Sequence, residues 1–336
     1  MQIGGLNTTD KVMIIAEIGN NHEGNYERAI EMIKRAAESG VDAVKFQTFL
    51  RPEHFHTSSD PDRIQRLQSF QLELEQITEL AEIARANGVV FFSTPLDIAA
   101  VEFLDTIAPV FKIASCDNNF LPLIDAISKT GKPVILSSGL ADLNTLSTAK
   151  VRFEFNWANA GQTSELAILH CVSAYPTPVD QANLNAIRTI QQEIGGCVGY
   201  SDHTLGIDAA VLSVGLGARI IEKHFTIDKN LSDFRDHQLS ADPGEMTQLV
   251  QRVREAEQLL GLGGKRLSEV EVDPLLIRRS VAANRNLDCG HILKWEDLTW
   301  VRPGTGVSPG YEHQLLGRTL KSDRLAGQLI LLADVK

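Results

Sequence analysis

No apolar run in this 336-residue sequence approaches the roughly 20 residues needed to span a membrane. The start, Met1 to Lys11, has neither a basic stretch nor an apolar one, so no secretory signal is expected. Positive charge is in deficit: 32 Lys and Arg stand against 43 Asp and Glu, a net charge of −11. That argues against nucleic acid and anionic membranes as partners, since both require a basic face. Cysteine is scarce. Cys116, Cys171, Cys197 and Cys289 are scattered without a CxxC pair, which speaks against a zinc site or a disulfide framework. They read as buried free thiols in a reducing cytoplasm. Low-complexity tracts, long repeats and charge blocks are missing as well. With 43% apolar and 22% charged residues, the chain is neither disordered nor collagen-like.

What is present is an alternation. Short apolar runs occupy Val12–Ile18, Ala43–Phe49, Val89–Thr94, Val110–Ala114, Pro133–Ser137, Leu166–Val172, Cys197–Ser201 and Ala218–Phe225. Amphipathic helical patterns separate them, for example Tyr26–Glu38 and Gln71–Ala86, and Met246–Leu260 follows the last run. Eight strand–helix units in this length predict a closed (β/α)8 TIM barrel over residues 1–261. No GxGxxG follows the first strand, which disfavours an open dinucleotide-binding sheet. Residues 262–277, with two glycines and Pro274, read as a linker. Residues 278–336 change character. Short strands are expected around Arg278–Leu287, Leu298–Val301, Thr319 and Leu329–Val335, giving a small, mostly β domain.

In such barrels the chemistry sits at the C-terminal strand ends. Alternation points Glu17 inward with Ile15, and places Lys45 and Gln47 on one face of strand two. Lys112 interrupts the apolar strand four. Interior lysines are costly unless paired, so two of them near Glu17 indicate an anion pocket, or else a structural salt bridge such as Lys45 to Glu17. Ser93, Thr94, Ser115, Ser137, Ser138, Ser173 and Ser201 recur at strand ends three to seven, where hydroxyls suit phosphate or carboxylate oxygens. His203 and His224 end the neighbouring strands seven and eight. They can converge on one divalent ion, with Asp233 or Asp236 adding an oxygen or acting as a base. His170 reads as structural, and His22 lies at the catalytic end without an assigned role.

The same segments carry a resemblance. Ala16-Glu-Ile-Gly-Asn-Asn-His-Glu-Gly24, Val44-Lys-Phe-Gln-Thr48, Phe111-Lys-Ile-Ala-Ser115, Gly199-Tyr-Ser-Asp-His-Thr204 and Glu222-Lys-His-Phe-Thr226 match in order and spacing. The chain resembles the sialic acid synthase family, which includes N-acetylneuraminate, legionaminate and pseudaminate synthases. The tail resembles its antifreeze-like (SAF) domain, through Arg278-Arg-Ser-Val281 and Leu298-Thr-Trp-Val-Arg-Pro-Gly304. The resemblance implies condensation of phosphoenolpyruvate with an open-chain amino sugar such as N-acetylmannosamine, giving a nonulosonic acid and phosphate. It places phosphoenolpyruvate on Lys45, Lys112, Ser115, Ser137, Ser173 and Ser201, and Mn2+ or Mg2+ on His203 and His224. It makes Glu17 and Asp236 the acid/base candidates. Gln47, Thr94, Asp117, Tyr175 and Arg302 fall on the sugar side, Arg302 reaching the partner barrel of a homodimer. Asp117 stands where many members have Glu, many have an amide near Ser173, and the segment Leu231–Ser240 is one residue longer than in some members. These departures leave the acceptor sugar open.

Three rivals have discriminating features. Synthases of shorter keto acids usually lack such a tail. A metal-dependent hydrolase would want more histidines on early strands, such as an HxH on strand one, where this chain has Glu17. A non-enzymatic sugar- or ice-binding protein would leave two interior lysines and a histidine pair without purpose.

Overall fold

The first apolar run folds into β1 (Met13–Gly19), buried along its whole length as expected of a parallel strand covered on both faces. The computed structural model describes residues 1–54, 57–261, 263–265 and 267–336. Seven further strands follow: β2 (Ala43–Thr48), β3 (Val90–Pro95), β4 (Phe111–Ile113), β5 (Val134–Ser137), β6 (Leu166–Cys171), β7 (Cys197–Asp202) and β8 (Ile220–His224). They form one sheet in the order β3-β2-β1-β8-β7-β6-β5-β4, with every ladder parallel. Its two end strands, β3 and β4, pack against each other without a ladder, so the sheet rolls into the expected TIM barrel.

The two faces of each strand have different fates. Outward residues such as Ile14, Ala16, Val44 and Phe46 pack beneath the helices. Inward residues Met13, Ile15, Ala43, Phe92, Ile135, Leu169 and Ile220 fill the lower barrel. An N-terminal hairpin pairing Gln2–Ile3 with Leu6–Asn7 adds Met1 and Ile3 to that interior cluster. Higher up, the same inward columns turn polar. Met13, Ile15 leads to Glu17; Ala43 leads to Lys45 and Gln47; Ile220 leads to Glu222 and His224. Gly199 on β7 has to be a glycine: a Cβ there would lie 2.3 Å from the Ile220 carbonyl oxygen.

The helices follow from local signals. Asn25 caps α1 (Tyr26–Glu38) by accepting from the Arg28 N–H, and Ala29, Met32, Ile33 and Ala36 face the sheet. Burying the Met or Ile side chain contributes about 1.5–3 kcal/mol. A helix absent from the sequence reading, α2 (Pro61–Phe70), lies between β2 and β3. None of its residues is buried, so it lacks the apolar stripe by which helices are recognised. The helix expected from Gln71 begins at Leu74 as α3 (Leu74–Ala86), because Glu73 and Gln76 form a capping box. The ring continues with α4 (Ala99–Asp105), α5 (Leu121–Ser128), α6 (Leu143–Asn159), α7 (Ala186–Glu193) and α8 (Asp208–Gly215). After β8 come the short α9 (Arg235–Leu239) and the long α10 (Pro243–Leu260), which is capped by Asp242. Among the described residues, no helix is long and apolar enough to cross a membrane.

The chain divides into two compact units, Met1–Gly261 and Leu262–Lys336. The stretch read as a linker is grouped with the smaller unit, and its end forms α11 (Pro274–Ile277); Leu262 and Arg266 lie outside the described residues. In that unit β9 (Ser280–Ala283) pairs antiparallel with β10 (Leu298–Val301). The longer strands expected at Arg278–Leu287 and Leu329–Val335 reduce to β9 and single bridges such as Ala282 to Leu329 and Leu320 to Val335. Val281, Leu293, Leu298, Leu315, Leu320 and Ile330 make a separate core. Two of the four cysteines, Cys116 and Cys289, are exposed rather than buried, and all four are free thiols.

The buried Asp297 organises the small unit. It accepts from His291 Nε2 at 2.7 Å, Arg285 at 2.7 Å and the Lys294 N–H at 2.9 Å. Burial opposes its ionisation, but these three donors outweigh burial and hold the carboxyl below the usual Asp range. A carboxyl lowered in the folded state stabilises that state above the unfolded value of about 4, and loses the contribution as pH falls. Asp297→Asn is therefore expected to lower the unit's melting temperature at neutral pH and to flatten its acid limb. Thermal unfolding followed across pH checks this, and an unchanged acid limb contradicts it.

Candidate active site

The polar tops of the inward columns surround a cavity of about 550 Å3. Glu17, Lys45, Gln47, Thr94, Lys112, Ser115, Ser137, Ser173, Tyr175, Ser201, His203, His224 and Asp236 all line it. Strand register explains the convergence. Glu17 pairs across the ladder with Lys45 on one side and with His224 on the other, and Ser201 pairs with Glu222.

Both lysines are held in ion pairs at the cavity wall. Lys45 Nζ lies 3.0 Å from Glu17 and 3.5 Å from Glu222, and donates to Thr94 Oγ1 at 3.2 Å. Lys112 Nζ donates to Ser137 Oγ at 2.6 Å and sits 3.8 Å from Glu222. These are buried ion pairs that also face the cavity. Burial pushes the Glu17 carboxyl upward, the neighbouring Glu222 adds to that, and Lys45 only partly opposes it. Burial also pushes the Lys112 ammonium down. Glu222 is different: despite burial, Lys112 and Lys45 pull its carboxyl down to about 2. Glu222 is thus the fixed anion between two cations, whereas Glu17 is a carboxyl that burial raises.

The imidazoles of His203 and His224 lie 5.4 Å apart, centroid to centroid. His203 Nδ1–H donates to the Val172 carbonyl at 2.8 Å, which leaves Nε2 free. The Tyr175 ring packs 4.1 Å from His203. Burial pushes the His224 imidazole below its ordinary value, and its Nδ1 is buried without a hydrogen-bond partner among the described residues. Glu222 Oε2 and Ser173 Oγ are orphaned likewise. Such atoms point to a polar ligand. A divalent ion fits a neighbouring histidine pair with an unmet ring nitrogen. Gly139 keeps the serines together, since a Cβ there would lie 2.3 Å from Ser173 Oγ and 2.5 Å from Ser115 Oγ.

Other expected residues fall elsewhere. Asp117 is not among the cavity-lining residues. It occupies a single 3-10 turn (Ser115–Asp117), where burial raises its carboxyl and Cys116 Sγ hydrogen-bonds to it at 3.3 Å. Its neighbour Asn118 is the buried one, donating to the carbonyls of Ser137 and Gly139. Ser93 and Ser138 serve the scaffold: Ser93 bonds the Thr48 hydroxyl, and Ser138 Oγ accepts from the Cys171 N–H. His22 packs against Phe46 outside the cavity and accepts from the Gly24 N–H; burial, then Arg28, pushes its imidazole down to about 4. His170 Nε2 bonds the Ala182 carbonyl, in keeping with a structural role. Arg302 lies on the small unit, exposed, with no ion pair or hydrogen bond to that unit's described residues. Glu222 was given no role in the sequence reading, although counting two back from His224 along the inward column finds it. The cavity wall also includes Arg66 and Phe70 of α2, which had no sequence signal.

A TIM barrel whose mouth gathers two lysines, three carboxylates and a histidine pair has the layout of a barrel enzyme. The chain matches the model of the NeuB family over residues 32–265 and that of the SAF domain over residues 278–336. It belongs to the NeuB family. It is similar to the N,N'-diacetyllegionaminic acid synthase of Legionella pneumophila, 38% identical over 338 residues, covering 96% of this chain and 94% of that protein. It is 34% identical over 350 residues to the pseudaminic acid synthase of Campylobacter jejuni, covering 100% of both. The crystal structure of the N-acetylneuraminic acid synthetase of Leptospira borgpetersenii in complex with citrate superposes with a TM-score of 0.74 at 33% identity, covering 80% of this chain and 92% of that one. The chain is therefore a transferase of the sialic acid synthase type.

Proposed function

We propose that the enzyme condenses phosphoenolpyruvate with the open-chain aldehyde of an amino sugar, releasing phosphate and a nine-carbon 2-keto-3-deoxy acid. The observation that carries this reading is the line Lys45–Glu222–Lys112 lying in one cavity with the His203–His224 pair. The two ammonium groups offset the phosphate and carboxylate of the enol substrate, and Ser115, Ser137 and Ser201 offer hydroxyls to its oxygens. His203 and His224 would hold Mn2+ or Mg2+. Bound there, the ion supplies Lewis-acid polarisation of the sugar carbonyl.

Carbon 3 of the enol attacks the aldehyde carbon, and the aldehyde oxygen takes up a proton. Water adds at carbon 2, and the carbon–oxygen bond to phosphate breaks. Glu17, its carboxyl raised by burial, is the group we assign to the proton transfers. Asp236, Tyr175, Gln47 and Thr94 border the sugar end. In this reading the chain works as a cytoplasmic homodimer in which each small domain lends Arg302 to the sugar held by the other barrel.

The test is phosphate release from phosphoenolpyruvate by metal-stripped enzyme, with a panel of aldoses and added Mn2+ or Mg2+. The panel includes an aldose bearing two acetamido groups, because one relative is named for a diacetyl product. Release is expected only with enol phosphate, aldose and metal together. Release without an aldose, or without metal, overturns the reading.

A further inference from the structure

Asp236 reaches the cavity from α9, a five-residue helix too short to hold its own place. What fixes it lies one residue on. His237 is completely buried, and both of its ring nitrogens are engaged. Nδ1 pairs with the Thr226 hydroxyl at 2.8 Å, and Nε2–H donates to Glu23 Oε1 at 3.1 Å. Thr226 belongs to the turn after β8, and Glu23 to the loop after β1. Glu23 sits at φ 50°, a left-handed conformation that favours glycine, and Arg28 also binds its carboxylate at 3.0 Å.

A second tie runs in parallel. Asn21 Nδ2 donates to the Phe225 carbonyl at 2.8 Å and to Ser240 Oγ at 3.0 Å; Ser240 Oγ in turn donates to the Asp236 carbonyl at 2.5 Å. The backbone at Asp236 and just after it is thereby tied to two loops of the barrel mouth. The same helix start carries Arg235, whose guanidinium lies 4.9 Å over the Tyr175 ring.

We propose that His237 is a positioning residue for the sugar half of the reaction: it clamps the loop after β1 to α9 and so sets Asp236 and Arg235 at the aldose end of the cavity. This rests on the synthase reading. The clamp touches none of Lys45, Lys112, Ser115, Ser137 or Ser201, so it should leave the enol phosphate alone.

The experiment uses the full chain with His237→Ala, His237→Gln and Thr226→Val. Steady-state phosphate release gives the KM for each substrate, and calorimetric titration with phosphoenolpyruvate alone gives its affinity. In His237→Ala the aldose KM should rise roughly tenfold or more, with kcat falling and phosphoenolpyruvate affinity within about twofold of wild type. His237→Gln can still donate toward Glu23 and should recover part of the loss. Thr226→Val removes the bond to His237 Nδ1, along with the hydroxyl's local bonds to the Asp228 backbone, and should shift the aldose KM in the same direction, which keeps the test open should His237→Ala fail to fold. An unchanged aldose KM, or a parallel loss of phosphoenolpyruvate affinity, overturns the clamp. A wild type that shows no aldose-dependent release defeats the synthase reading instead.

Discussion

Lys112→Met should cut turnover by about two to three orders of magnitude while the protein stays folded. Lys112 is only 2% exposed, and its ammonium group bonds Ser137 Oγ at 2.6 Å. Methionine nearly matches the length of the lysine stem, so it fills the space and removes only the charge. Removing one partner of a buried ion pair is costly where the other charge is left alone. Glu222 keeps Lys45 as its counter-ion, at 3.5 Å. Catalysis has no such reserve. In the proposed reaction an enol phosphate brings both a phosphate and a carboxylate into the cavity, and half of the compensating charge is gone. Phosphate-release kinetics at saturating aldose and metal read the effect. A loss below about tenfold would remove Lys112 from the reacting centre.

The second large effect concerns stability. In Glu222→Gln the fixed anion between Lys45 and Lys112 becomes neutral, while the amide keeps its shape and its contact with Ser201. Removing one partner of a buried ion pair costs about 3–5 kcal/mol, because the remaining charge is left uncompensated. Here two ammonium groups are affected, although Lys45 retains Glu17 at 3.0 Å. Lys112 has only Glu222 as an ion-pair partner among the described residues, so it carries most of the strain. A bound anion would take the place of the lost carboxylate. Phosphoenolpyruvate should therefore stabilise Glu222→Gln more than it stabilises wild type, since ligand binding to the folded state raises its stability by mass action. Urea unfolding with and without phosphoenolpyruvate measures both terms. A cost under about 1 kcal/mol, or equal ligand stabilisation of the two proteins, would show that Glu222 does not balance the lysines.

Lys45 and Lys112 were legible in the sequence because a charge inside an apolar strand has few innocent explanations. The His203–His224 pair was legible because both residues end strands that the repeat makes neighbours. Glu222 shares the inward column of His224 by alternation, but the linear pattern does not say that it lies between the two lysines. In the barrel, Lys223 turns outward to pair with Asp202 at 2.9 Å beneath the helices, and Glu222 turns inward. Asp117, expected on the sugar side from the resemblance, lies in a 3-10 turn and does not line the cavity, and its neighbour Asn118 takes the buried position. The exposed helix α2 and the His237 clamp had no periodic signal at all. One has no buried stripe, and the other joins residues 214 apart in the chain.

By itself, the order of apolar runs and helical stretches determined the barrel, the small β domain behind it and the end of the barrel where chemistry belongs. Period-two and period-3.6 patterns are local consequences of burial on one face, and a sequence displays them directly. Only the tertiary structure decided which carboxylate lies between the lysines, which loop aims Asp236, and which strand-end serines meet the cavity. Those outcomes depend on strand register and on contacts between distant loops. Register sets the facing of every side chain, yet it is fixed by packing across the whole sheet.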